Sequence, residues 1–412
     1  MTNFLQRFNL FSKFRSRNLV FLGAIALGCL SLIAAFIFWF SPQITLGLVV
    51  PLTGDFAVLA GKDMIAGAEL AVKQANQAGG ISLGDRTYRF NYRVKLAIAD
   101  DRNLPQGAVR AAEKLRREGA IALISSPKSS LALSIIQDLP NFPLVTAASG
   151  LGVTANQPSI LGLGLPAEAQ GNFLAIFARK TLKAKRAAIL YDPSNSYSQA
   201  IAQNFQRTFQ ELEGLLVSPT TYLTTYKAGQ GQDLRSQLLA IAEQKPDVLL
   251  LPNYLPDLIS QGQQLQELNL KIPTLGGDAW AGLISANLPL LEGGFFLSPW
   301  HLQIPSSKNQ QFVQNYTRLY KQSPRTNAAL TYDAVQMLLG AIALALSGGY
   351  SALPKATTPE MIVQGYDQIQ PFLGATGTIS KNLGRSVVIN QIKNGEAKLY
   401  QQLDPQTLKL SP

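Results

Sequence analysis

The sequence predicts an α/β protein built as two doubly wound lobes with a hinge, preceded by one N-terminal transmembrane helix. Three observations predict it. Residues 44–101 read as a strand, a turn-rich loop, an amphipathic helix and a second strand, a unit that implies a parallel pair with a crossover helix. That rhythm continues to about residue 146, changes texture at 161–166 (LGLGLP) and restarts for a second block of similar length. Ahead of both blocks, residues 20–40 carry no charge and follow a basic flank.

The N-terminus divides into a basic segment, residues 1–18, and an apolar one, residues 19–40. Arg7, Lys13, Arg15 and Arg17 stand in the first without an acid. The uncharged run spans about 31 Å as a helix, close to the hydrocarbon thickness of a bilayer. Basic residues before it keep the N-terminus cytoplasmic, so the remainder is expected on the periplasmic side of the cytoplasmic membrane, tethered by this helix. The run ends in Phe36, Phe38, Trp39 and Phe40, which offers no small-residue cleavage site. An uncleaved anchor is the expectation. A cleaved signal and lipidation at Cys29, in Ala26-Leu27-Gly28-Cys29, are the alternatives.

Each element then has its own signal. Residues 44–50 are apolar and rich in β-branched side chains, as a strand buried on both faces requires. Pro51, Thr53, Gly54 and Asp55 form a loop, Met64, Ala68, Leu70, Ala71, Val72 and Ala75 recur at helical spacing, and Gly79-Gly80 stops the helix. Residues 94–99 are the next strand, 103–119 a helix with Pro105 in its first turn, and 120–124 a strand. A serine-rich turn leads to a helix at 131–139, a strand at 143–146 and a loop from Ala147. The second block alternates helices at 167–180, 198–212, 234–243 and 256–268 with strands at 187–191, 216–223, 247–251 and 273–275. Residues 293–298 are a candidate crossing. Helices at 310–320 and 328–346, a turn-rich strand at 373–385 and a hairpin around Asn394-Gly395 complete the chain.

Composition narrows the function. Cys29 is the only cysteine and His301 the only histidine, so intramolecular disulfides and multi-cysteine metal sites are excluded, and His301 is expected to pack. The net charge of +11 is dispersed, without a basic stripe interleaved with aromatics, so no nucleic-acid partner is expected. No cofactor, metal or catalytic residue is expected either. Gly150-Leu151-Gly152-Val153-Thr154-Ala155 fits G-x-G-x-x-A, but Pro158 breaks the helix that this motif should open. Asp100-Asp101 reads as turn and cap chemistry, because neighbouring side chains at a strand end point to opposite faces. No phosphate loop, nucleophile elbow or paired metal-binding histidines occur, so the chain is not expected to be an enzyme.

Polar residues do recur just after strands: Thr53 and Asp55, Ser129 and Ser130, Ser149, Tyr197, Asn253 and Tyr254, Asp278 and Trp280. If both lobes turn these edges to one cleft, the groups converge. Hydroxyls and free N–H groups at the helix start by Ser129 suit a carboxylate, Asp278 suits an ammonium, and Tyr197, Tyr254 and Trp280 supply walls with polar tips. That set fits an α-amino acid.

From Ile44 to about Gln401 the chain resembles the leucine/isoleucine/valine-binding protein family of solute receptors for ABC importers. The resemblance lies in GLVVPLTGDFAVLAGKDMIAGAELAVKQANQAGGI, DDRNLPQGAVRAAEKL, Ser129-Ser130, GGDAW, Thr331-Tyr332-Asp333-Ala334-Val335 and LGATGTI. It implies a type I periplasmic binding protein fold, with lobe 1 as residues 44–164 plus 299–378 and lobe 2 as 165–298 plus 379–408, joined by three crossings and closing over a ligand. It also implies ABC permease subunits as partners. Ser129 or Ser130 resembles the family's carboxylate-binding serine, Tyr197 and Tyr254 its cleft tyrosines, and Asp278 the acid that takes the ammonium. Leu59 or Ala60 stands where amino-acid binders often carry an aromatic, and Gly150 or Leu151 replaces a threonine, so relatives' amide, urea and aromatic-acid ligands stay open. A ligand-sensing ectodomain working through a separate signalling partner is the alternative role.

Overall fold

The computed structural model describes residues 43–54, 56–84, 89–149, 153, 157–222, 232–345, 359–380, 384–385 and 387–403. The expected anchor, Cys29, Asp55 and most of the Gly150–Ala155 motif lie outside them.

Two sheets organise the chain. The first has strand order β2-β3-β1-β4-β5-β6: β1 (Gln43–Val50), β2 (Ile81–Gly84), β3 (Arg89–Asp100), β4 (Ala120–Ser125), β5 (Leu144–Thr146) and β6 (Ile160–Gly162). All pairings but the edge β2-β3 are parallel. Residues 46–50 are buried, as expected of an apolar run covered on both faces. The covering helices are α1 (Lys62–Gln77), α2 (Pro105–Arg117) and α3 (Ser129–Asp138). β3 is longer than the apolar pattern predicts because its first four residues, 89–92, pair only with β2 at the sheet edge.

The second sheet has order β16-β15-β11-β10-β9-β7-β8, where β15 is Val387–Lys393 and β16 is Glu396–Leu403. It contains β7 (Arg186–Tyr191), β8 (Leu215–Thr221), β9 (Val248–Leu250), β10 (Thr274–Gly276) and β11 (Phe295–Ser298), with α4 (Ala167–Ile176, continued by a π-turn), α5 (Ser196–Glu211), α6 (Arg235–Glu243), α7 (Leu255–Glu267) and the short α8 (Ala281–Ser285). Residues 295–298, expected to be a crossing, form a buried strand parallel to β10, and the chain leaves the sheet one residue later.

The chain then returns to the first sheet. α9 (Ser307–Tyr320) and α10 (Thr326–Ala345) pack beside α1, and α11 (Pro359–Gln368) packs on α10. α10 is long and apolar enough to cross a membrane, but it is largely buried in the first lobe's core beside Leu46, Ala68 and Ala71. α11 was not anticipated, although Pro359 in its first position and Glu360 beside it are a helix-start signal. A small antiparallel sheet, β12 (Phe372–Gly374), β13 (Gly377–Ser380) and β14 (Gly384–Arg385), leads back to the hairpin β15 (Val387–Lys393) and β16 (Glu396–Leu403) on the second sheet. Asn394 and Gly395 turn it with positive φ, as an Asn-Gly hairpin does. His301 is buried, its Nδ1 accepting from the Gln303 N–H at 3.1 Å, a packing role.

Both sheets reverse their strand order, the first at β1/β4 and the second at β7/β9. Open α/β sheets bind ligands in the crevices outside the carboxyl ends of strands at such points. The polar residues singled out above follow β1, β4, β7, β9 and β10, so the topology gathers most of them at these two edges.

Candidate functional site between the two sheet edges

The second lobe contributes a connected cluster. Asn195 caps α5, its Oδ1 accepting from the N–H groups of Tyr197 at 3.0 Å and Ser198 at 3.3 Å. That cap fixes Tyr197 in the first turn, with its ring buried in the core and its hydroxyl donating to Asp278 Oδ1 at 2.8 Å. The Ala279 N–H donates back to the Tyr197 oxygen at 3.2 Å. Gln170, fully buried on α4, accepts from the Asp278 N–H at 3.0 Å and donates to the Leu165 carbonyl at 2.9 Å. Gly277 is required between these groups: a Cβ there would stand 2.3 Å from the Tyr197 hydroxyl and 2.6 Å from Gln170 Oε1.

Tyr254 stacks on Tyr197, ring centroids 5.0 Å apart at 23°. It sits in extended backbone just ahead of α7, and its hydroxyl shares a hydrogen bond with Ser129, in the first turn of α3 on the other lobe. This contact links the two edges. Beside it, α8 of the second lobe packs on the π-turn Ala57–Gly61 that follows β1.

The first lobe's edge is lined with small hydroxyls. Ser125 donates to Thr146 Oγ1 at 2.8 Å, joining the ends of β4 and β5, and Ser129 is buried. Asp100 holds the loop after β1 by accepting from the Leu52 N–H at 2.9 Å and the Thr53 hydroxyl at 3.0 Å. Asp101 accepts from the Asn103 N–H at 2.7 Å. The acid pair therefore does turn and loop chemistry.

The carboxylate of this cluster is Asp278. Burial pushes the Asp278 carboxyl up, while hydrogen bonds from Tyr197, Gln170 and the Ala279 N–H, together with the charge of Arg385, pull it down. Part of its surface stays accessible. Burial, with the Asp278 charge next, also holds the Tyr197 phenol well above its ordinary range, so it is a hydrogen-bond donor at any physiological pH. The arrangement can present one negative charge to a cation in a site from which much of the water is excluded.

A family model described as periplasmic binding protein matches residues 43–393. The chain belongs to that family. Over 245 residues this periplasmic binding protein is 28% identical to the Leu/Ile/Val-binding protein BraC3 of Rhizobium johnstonii, a match covering 57% of this chain and 61% of that relative. Its fold superposes with a TM-score of 0.74, at 21% identity, on the branched-chain amino acid transporter substrate binding protein LivJ from Streptococcus pneumoniae in complex with isoleucine, covering 88% of this chain and 100% of that one. An ABC transporter solute binding protein from R. palustris in complex with benzoate superposes at 0.71 with 19% identity, covering 88% of this chain and 97% of the other. These likenesses carry the fold, which is the two-lobed type I periplasmic binding fold.

Within this periplasmic binding protein the anticipated residues divide. Tyr197, Tyr254, Asp278 and Ser129 form one connected set. Ser130 is exposed and turned away, its carbonyl accepting from the Ser134 hydroxyl at 2.9 Å on the outer face of α3. Ser149 is half-buried, and its carbonyl takes the Ala167 N–H at 2.8 Å where the chain enters the second lobe. Trp280, expected as a cleft wall, is instead fully buried in the second lobe, its indole donating to the Leu251 carbonyl at 2.9 Å and its ring stacked near Phe296. The short 3-10 turn Asp278–Trp280 explains the correction: it turns Asp278 outward and drives Trp280 down into the core. Asn253 is likewise structural, donating to the Leu190 carbonyl at 2.9 Å. Ala60 is buried in the first lobe's core, and Gly150 and Leu151 lie outside the described residues. Gln170 was missed. A glutamine inside a helical apolar run, in Ala167-Glu168-Ala169-Gln170-Gly171, was the available signal.

Proposed function

We propose that this protein is the extracytoplasmic solute receptor of an ABC importer, that its ligand is an amino acid of the branched-chain or neutral type, and that binding closes two lobes. Lobe 1 is taken as residues 44–164 plus 299–378 and lobe 2 as 165–298 plus 379–408, with residues 19–40 as the membrane tether and permease subunits as the partners of the closed form. One observation carries the reading: Asp278, oriented by Tyr197 and Gln170, opposes a serine-lined helix start on the other lobe, with Tyr254 spanning between them. A carboxylate on one side and hydroxyl and N–H donors on the other match the two ends of an α-amino acid. Such contacts exist from both lobes only when the lobes meet, so ligand shifts the population toward closure. The family is one of binding proteins, and no catalytic step is assigned.

The benzoate complex of the R. palustris relative motivates a second reading, a carboxylate ligand without an amine. Thermal unfolding of the full chain with L-leucine, L-isoleucine and benzoate separates the two. A ligand at about 100 times its dissociation constant stabilises by about 2.7 kcal/mol, a shift of a few degrees at this size. Stabilisation by the amino acids alone supports the first reading. Stabilisation by benzoate alone replaces it with the second, and no shift with any of the three removes both.

A further inference from the structure

Arg385, in the last of the three passages between the lobes, is a buried guanidinium with only 5% of its surface accessible. Through Nη1 it donates to the Leu163 carbonyl, the residue after β6 where the chain leaves the first sheet. Through Nη2 it donates to the Pro299 carbonyl at 2.9 Å, the residue after β11 where the chain leaves the second sheet, and to the Thr376 carbonyl at 3.3 Å, between β12 and β13. One side chain therefore ties all three crossings. Among the described residues its Nε has no hydrogen-bond partner. Five N–H donors in a planar fork allow three carbonyls from different segments to be held together, which a lysine ammonium on a flexible stem would hold less well.

The charges of Asp333, on α10, and Asp278, at the cleft, both act on the guanidinium. Arg385 in turn acts on each of them, and the other titratable groups around Asp278 are Tyr197 and Tyr254.

We infer that Arg385 is the positioning residue of lobe closure: it pins the three crossings at one point, so that the lobes turn about a single clasp. The inference goes beyond the proposed function and rests on it only for the effect on leucine affinity.

The test compares the full chain with Arg385→Lys and Arg385→Met in two assays. Hydrogen exchange followed by mass spectrometry, without ligand, is expected to show peptides covering 160–166, 295–301 and 374–385 losing protection together in Arg385→Met, at least tenfold, while β1 and β7 exchange as before. Arg385→Lys, which keeps the charge but not the fork, is expected to show a smaller loss in the same three peptides. Unchanged exchange at the crossings, or loss confined to one of them, overturns the pin.

The second assay measures L-leucine affinity by calorimetry at pH 7, where Arg385→Met is expected to bind at least tenfold more weakly than wild type and Arg385→Lys to lie between them. Equal affinity in all three overturns the role in closure. If the wild-type chain binds no leucine, the functional proposal falls, while the exchange data still judge the pin. If Arg385→Met does not fold, Arg385→Lys decides the pin: protection lost at all three crossings supports it, and unchanged protection overturns it.

Discussion

Asp333 and Asp278 act on one guanidinium from different lobes, and the fold treats them differently. Asp333 is fully buried and accepts from the Ala375 N–H at 2.8 Å, the Thr376 N–H at 2.8 Å and the Thr376 hydroxyl at 2.7 Å. Gly374 is needed beside it, since a Cβ there would lie 2.4 Å from the carboxylate. Asp278 accepts from the Tyr197 hydroxyl at 2.8 Å and, unlike Asp333, keeps part of its surface accessible. A carboxylate offers about four lone-pair directions. Where backbone donors and a hydroxyl crowd around a sealed acid, it is architecture; where acceptor capacity faces a cleft, a ligand can complete the set.

The largest effect that would break this comparison is on stability. Asp333→Ala leaves the Ala375 and Thr376 N–H groups and the Thr376 hydroxyl without their acceptor and removes a charge that acts on buried Arg385, and removing one partner of such a buried set destabilises by about 3–5 kcal/mol. Asp278→Ala is expected to destabilise far less, because its partners retain Gln170 and one another. Urea unfolding of both variants measures this directly, and equal losses would remove the distinction.

Asp63 sharpens the comparison as a third buried acid, one with little support. Among the described residues its Oδ2 has no hydrogen-bond partner, and Arg325 stands 3.9 Å away. Burial, opposed by Arg325, raises its pKa to about 6. The folded chain thus holds a proton between about pH 4 and 6 that the unfolded chain has released. The stability this contributes is fully present below the unfolded value and is lost as pH rises through about 6. Two pKa units correspond to about 3 kcal/mol. Asp63→Asn should therefore flatten that part of the pH–stability curve and raise stability at pH 7. An unchanged slope from pH 4 to 7 would show that Asp63 is better supported than its surroundings indicate.

Asp278→Asn gives the binding counterpart. A charge-assisted hydrogen bond contributes about 1.5–3 kcal/mol, so L-leucine affinity should fall about 10- to 100-fold by calorimetry. Stability moves the other way. The folded pKa of Asp278 is raised, so its favourable contribution belongs to low pH and is gone above the folded value, and at pH 7 the asparagine should leave the melting temperature unchanged or higher. A variant that loses stability while keeping leucine affinity would exchange the roles assigned to Asp278 and Asp333.

Much of this was legible from periodicity alone. The βα alternation specified two doubly wound blocks because buried parallel strands and amphipathic helices carry distinct periods, and strand ends located Ser129, Tyr197, Tyr254 and Asp278. Local sequence does not reveal which of two adjacent groups turns inward. Asp278 and Trp280 exchange solvent for core within one turn, and Ser129 and Ser130 differ by 100° around a helix. Long-range pairing was also hidden. Thr331-Tyr332-Asp333 and LGATGTI stood out as separate motifs, yet Asp333 and Ala375 are partners across 42 residues. Arg385 gave no local signal, because its acceptors are backbone carbonyls from three distant segments, and carbonyls have no residue type to read.

The smallest predicted effect is also the finest test of how Asp278 is held. Tyr197→Phe keeps the buried ring and its stacking on Tyr254 but removes the donor to Asp278 and the acceptor of the Ala279 N–H. A lost hydrogen bond of this kind is worth about 1 kcal/mol, so L-leucine affinity at pH 7 should fall about fivefold. The pH profile should move as well. An ammonium needs the ionised carboxylate, so binding is lost as pH falls through the folded pKa of Asp278, and removing a donor that lowers that pKa shifts the loss to higher pH. Calorimetry from pH 5 to 8 on wild type and Tyr197→Phe resolves both changes. A fivefold loss with parallel profiles would mean that Tyr197 fills space without tuning the acid, and Asp278 would then differ from Asp333 only in its exposure.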